Sequence, residues 1–197
     1  MSGQGETITV RRPPQPGGRA PAPGRLALVQ AFLNSHYDLE HDHGAELLGS
    51  PAAVVGWLQR AGLLTGPAEA DDRDVGRALA VREGLRALAR EGAGWPSGFD
   101  QAVRGAAVEV RATSAGELYF VAAPETGVAG ALGVLVAIAA LAVADGSWSR
   151  LKICPGHDCG WAFYDASRNR SGRWCSMSVC GGRAKARSHY HRRTSRV

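Results

Sequence analysis

Residues 154–180 read CPGHDCGWAFYDASRNRSGRWCSMSVC and hold every cysteine of the 197-residue chain, as Cys154-x4-Cys159 and Cys175-x4-Cys180. Two close pairs separated by fifteen residues supply four thiolates that one ion can gather into a tetrahedron, the closed shell of a structural zinc site. Two disulfides would need an oxidising compartment. The start MSGQGETITV has no charged segment followed by an apolar run, so reduced thiols and a cytoplasmic protein are expected. A nucleophilic cysteine would need a nearby base and a lowered pKa. His157 is the one histidine between Cys154 and Cys180, and it reads as a loop residue because four sulfurs already complete the shell. Zn2+ is therefore the expected cofactor.

Charge is distributed unevenly around this region. Residues 151–197 carry ten Lys or Arg against Asp158 and Asp165, a balance of +8, whereas the other 150 residues carry thirteen basic and sixteen acidic side chains, a balance of −3. A mildly acidic body joined to a strongly basic end implies a polyanionic partner, nucleic acid before an acidic membrane surface. A zinc with four thiolates is itself net −2, but two or three arginines would neutralise it. Most of the excess is left for a partner.

Outside the cysteine region the pattern is helical. Residues 1–24 are dense in Pro and Gly, with almost no apolar side chain after Val10, and read as a disordered tail. Leu26, Val29, Phe32, Leu33 and His36 share one helical face, with His36 expected as a packed core histidine and Asn34 towards the polar side. Residues 38–43 mix carboxylates and imidazoles, and read as a solvated acidic loop before a second metal site. Ser50 and Pro51 start a helix that runs to Ala61 and stops at Gly62. Over residues 71–91 an apolar stripe (Val75, Ala78, Leu79, Val81, Leu85, Leu88, Ala89) contains Arg82. A guanidinium on such a stripe is ion-paired or lines a pocket for an anion.

A shorter helix is expected over residues 99–107. Two alternating runs, 108–112 and 117–121, flank Thr-Ser-Ala-Gly as a β-hairpin. Residues 128–144, VAGALGVLVAIAALAVA, fall short of the ~20 needed to cross a bilayer and read as a buried core helix, with no membrane partner. The expected fold is thus mainly α (α+β): a helical domain with one β-hairpin over 25–147, then a four-cysteine finger over 148–197 ending in a basic helix.

In the finger, Trp161, Phe163 and Tyr164 supply a small core, and Arg168, Arg170 and Arg173 lie on a loop with Gly172. A helix beginning around Ser178 carries Cys180 near its N-terminus, where the dipole favours a thiolate. Arg183 and Arg187 are four apart on it, with Lys185, Arg192 and Arg193 alongside. Such a helix braced by zinc suits groove docking, with phosphate contact the expected mode. Trp161, Phe163, Tyr164 and Trp174 beside cations leave RNA as the alternative partner. No phosphate-cradling Gly loop, nucleophile elbow or HExxH is present, so no enzyme is expected.

These residues also carry a resemblance. Leu151-Lys-x-Cys154, Cys159-Gly-Trp-x-Phe-Tyr-Asp165-x-Ser167-Arg-Asn-Arg and Arg173-Trp-Cys-Ser-Met-x-x-Cys180-Gly-x-Arg-x-Lys185 resemble the CGNR zinc-finger family of bacterial transcription regulators. Gly182 stands where the family name has Asn, keeping the backbone freedom of that turn. The preceding part is similar to the ABATE domain through Phe32-Leu-Asn34-Ser, Leu47-Leu with Trp57-Leu, and Arg82-Glu-x-Leu-Arg86, with Gln30 in place of an acidic residue. The resemblance implies a stress-induced, DNA-binding regulator. Its helical domain would sense a small-molecule effector, through Asn34 and Arg82, or form a homodimer.

Overall fold

The apolar run becomes α5 (Gly127–Ala144), and the body is assembled around it in the computed structural model. The structure describes residues 15–36, 38–39, 42–43, 46–90, 98–157 and 159–194. Against α5 pack α1 (Leu26–Leu33), α2 (Pro51–Arg60), α3 (Asp72–Ala89), α4 (Phe99–Val103) and the hairpin of β3 (Val108–Ala112) with β4 (Leu118–Ala122). Its Ala and Gly positions let neighbours approach closely, while Leu132 and Leu135 are fully buried, each contributing about 1.5–3 kcal/mol relative to exposure. The stretch Pro124–Ala144 is long and apolar enough to cross a membrane by length and composition, but half of it is buried inside the fold.

Leu26, Val29, Phe32 and Leu33 form the buried face of α1, and the Phe32 ring meets Trp57 at 5.2 Å and 60°. The helix ends at Asn34, whose N–H returns to the Gln30 carbonyl. His36 lies beyond that end and is exposed, so the expected core histidine is not one. Ser50 caps α2 by accepting from the Ala53 N–H. Asp71 and Asp74 form a reciprocal capping box on α3, satisfying N–H groups that have no intrahelical partner. α4 is shorter than the sequence predicts because Arg104 is extended (φ −63°, ψ 134°).

The β3–β4 hairpin pairs Val110 with Phe120. Two further antiparallel pairs accompany it: β1 (Asp38–Leu39) with β2 (Asp42–His43), and β5 (Leu151–Ile153) with β6 (Ala162–Tyr164). The side chains of residues 38–43, and with them the question of a second metal site there, lie outside the described residues.

The tail expectation needs correction over residues 15–24; residues 1–14 lie outside the described residues. Ala22 is buried, with its N–H donating to the Gln30 Oε1 at 2.7 Å. Gln15 accepts from Gln30 Nε2 and Trp161 Nε1, and Arg19 donates to the Trp174 and Cys175 carbonyls. Pro- and Gly-rich composition weakens local preference only; these tertiary hydrogen bonds hold the segment as a strap across the finger.

Candidate metal centre

The four sulfurs are gathered by two turns. In the first, the Cys154 N–H donates to the Trp161 carbonyl and the Cys159 N–H to the Gly156 carbonyl, a knuckle closed by Gly160 at φ +59°. That left-handed conformation suits glycine. In the second, Ser176 accepts from the Val179 N–H at the head of a π-helical turn, Met177–Gly181, which delivers Cys180 and runs into α6 (Gly182–Thr194).

Cys154, Cys159, Cys175 and Cys180 are all buried, and their sulfurs lie within 4.8 Å of one another. The Cys175 Sγ is 3.6 Å from both Cys159 Sγ and Cys180 Sγ. A tetrahedron with zinc–sulfur bonds of about 2.3 Å has edges of about 3.8 Å, so the donor set fits zinc. All four cysteines are free rather than bridged.

Alone, these sulfurs cannot all ionise. Hydrogen bonds from Cys159 and Cys175 hold the Cys154 thiol down at about 2. The bond shared with Cys154 pushes Cys159 up to about 12, and the same neighbours drive Cys175 upward. Burial raises Cys180. A dication removes this conflict, because thiolate ligation neutralises charge that a buried site would otherwise refuse. Trp161 and Phe163 are buried beside the ligands as the finger core, while His157 is exposed in the knuckle loop. Arg19 lies over the Phe163 ring at 4.8 Å while its fork holds the two carbonyls at Trp174 and Cys175.

The basic loop is held by a buried carboxylate. Asp165 accepts from the Ser167 N–H and hydroxyl, the Gly172 N–H and Lys152 Nζ. Burial alone would raise its carboxyl, but these donors outweigh it and hold the group well below the usual carboxylate range. Lys152 also donates to the Arg170 and Gly172 carbonyls. Arg168, Arg170 and Arg173 are exposed on this loop, with Arg170 at φ +51° and Arg173 over Trp174.

On α6, Lys185, Arg187 and Arg192 are exposed and Arg183 is half-buried; the Arg193 side chain is outside the described residues. Gly182 sits at φ −61°, ψ −46°, helical backbone open to any residue. The freedom expected of glycine at that turn is therefore not used.

Asn34 and Arg82, the expected effector residues, have partners inside the protein. Asn34 grips the Ala162 backbone from both sides, donating to its carbonyl at 2.9 Å and accepting its N–H at 2.8 Å. Arg82 forks onto Glu46 at 2.6 and 2.7 Å, and reaches Glu83 and Ser35. Burial would lower Arg82 and raise Glu46, but their pairing outweighs both, so the guanidinium is raised and the carboxyl lowered. Of the two readings of a stripe arginine, the ion pair is the one seen.

Sequence reasoning missed the joint between body and finger. Arg86 is buried and donates to Leu33, His36 and Gly160 carbonyls at 2.6, 2.8 and 2.7 Å. Burial draws it below its ordinary value, with Glu83 opposing. Gln30 adds a donor to the Ala162 carbonyl. The signal for Arg86 was present: it lies four residues from Arg82 on the same stripe. Trp148, Leu151 and Ala162 then extend the body core into the finger without a break.

A helical domain joined to a four-cysteine zinc finger is the class that this fold and site define. The model of the CGNR zinc finger matches residues 150–193, and that of ABATE, described as "Putative stress-induced transcription regulator", matches residues 26–146. The chain belongs to the ABATE family and carries a CGNR zinc finger after that domain. No curated protein matches it.

Proposed function

We propose that this protein is a zinc-dependent, DNA-binding transcriptional regulator of the cytoplasm. In this reading the finger docks on duplex DNA and the ABATE domain adjusts its affinity, by binding a small effector under stress or by pairing two copies. One observation carries it. α6, thirteen residues with five Lys or Arg and no carboxylate, starts directly from the turn that holds Cys180. At 1.5 Å per residue it is about 20 Å long, and a helix fits a major groove about 12 Å wide. The exposed Arg168, Arg170 and Arg173 add cations from a loop fixed by Asp165. Phosphate contact is the mode these long, solvated side chains favour.

Fluorescence anisotropy with zinc-loaded protein and labelled duplex tests the reading. Contact with about six phosphates makes log K fall with log salt at a slope near −5. Changing Lys185, Arg187 and Arg192 together to Gln is expected to reduce that slope by about 3. Absence of salt-sensitive binding by the zinc-loaded protein would sink the proposal. Tighter binding to structured or single-stranded RNA would make it an RNA-binding finger instead. Against that alternative, Trp161 and Phe163 are buried and cannot stack on bases, which leaves only the half-buried Tyr164 and Trp174 of the four aromatics as a platform.

A further inference from the structure

A cleft of about 590 Å³ opens where the last turn of α3 meets the finger, lined by the apolar Leu88, Trp148 and Ile153 and by the cationic Arg90, Lys152, Arg170 and Arg173. Its volume is in the range of small-molecule sites. Lys152 is neutralised by Asp165 at 2.9 Å. Arg90, Arg170 and Arg173 line the same concavity, Arg170 also donating to the Ser149 hydroxyl, with no carboxylate among the described lining residues. Cations lining one concavity without a carboxylate among them repel one another and focus a positive potential into it. An anion seated there relieves that repulsion. The apolar lining argues that the anion is not bare: Leu88 and Ile153 are half-buried, and the Trp148 indole is buried with its N–H already donating to the Leu88 carbonyl. Arg173 lies over the Trp174 ring at 5.4 Å, and the N–H fork of a guanidinium suits a carboxylate or phosphate.

We propose that this seam cleft binds a small amphipathic organic anion, its apolar group on Leu88, Trp148 and Ile153 and its acid group at Arg90 and Arg173. The site draws one cation from the body and two from the basic loop, so it differs in place and residues from the Asn34 and Arg82 pair. It shares Arg170 and Arg173 with the loop proposed to meet DNA phosphates, but its test contains no nucleic acid, so either reading can fail without the other.

The probe is 1-naphthoate, titrated into zinc-loaded full-length protein by amide NMR, with uncharged 1-naphthamide as control. Saturable shifts confined to the Leu88, Ala89, Arg90, Ile153, Ser171 and Gly172 amides are expected. Binding is expected to weaken about tenfold in Arg90→Gln, the loss of one charge-assisted hydrogen bond, and about as much for naphthamide. Arg90 is exposed, so that variant retains the fold, and Leu88→Glu provides a second block from the apolar part of the lining. No saturable shift at millimolar naphthoate, shifts centred elsewhere, or equal affinity for naphthamide would each overturn the site.

Discussion

Replacing Arg86 by alanine removes the donor shared by the Leu33, His36 and Gly160 carbonyls, at 2.6, 2.8 and 2.7 Å. The Leu33 bond is buried, and an acceptor stranded there costs about 1–3 kcal/mol; the two part-buried acceptors can recruit water and cost about 0.5–1.5 kcal/mol each. Removing a buried cation returns some desolvation energy, so the net loss is about 2–4 kcal/mol. For a chain of this size that lowers Tm by about 4–16 °C. The Gly160 carbonyl immediately follows Cys159, so the knuckle also loosens and zinc leaves faster. Thermal unfolding of zinc-loaded protein by circular dichroism, with zinc release to a chromogenic chelator, reads both effects. Arg86→Lys is expected to restore less than half, because one ammonium cannot span three carbonyls. A Tm loss under about 2 °C with unchanged zinc release would refute the role of Arg86 as the joint.

Arg19→Ala is expected to cost about 1–2 kcal/mol and to accelerate zinc release, since the Trp174 and Cys175 carbonyls lose their fork; unchanged release kinetics would show that the strap does not brace the metal. Asp165 has a folded pKa below its unfolded value, so its stabilisation is complete above the unfolded pKa and disappears as pH falls through the folded one. The stability gap between wild type and Asp165→Asn should then be flat above about pH 5 and shrink below about pH 4, and a gap that widens in acid would contradict the assignment. Gly182→Ala should stabilise by about 0.4–1 kcal/mol, because its Cβ would meet only the Met177 carbonyl oxygen at 3.8 Å. Gly172→Ala should destabilise, because its Cβ would lie 2.7 Å from the Asp165 carboxyl; urea melts of the two variants must move in opposite directions.

The metal centre was the most legible part because its information is local: four cysteines in two short turns leave few ways to satisfy four thiolates. The helices over residues 51–60 and 72–89 were legible for a similar reason, since Ser50 and Pro51 mark the start of the first and the apolar spacing of the second repeats every turn. Residues 15–24 were not. Their Gly and Pro content reports a weak local preference, and nothing in it marks that Arg19 would meet the Trp174 and Cys175 carbonyls about 155 residues away. Arg82 and Arg86 shared one signal, a guanidinium on an apolar stripe. The stripe could not say that one would find Glu46 and the other three carbonyls.

Composition and spacing alone determined the mainly α body, the zinc-binding end and the segregation of positive charge, because each depends on residues close in sequence or on sums over many residues. The tertiary structure decided how body and finger are joined. Asn34, Gln30 and Arg86 clasp the backbone at Gly160 and Ala162, and backbone acceptors look alike in any sequence until folding brings a donor to them.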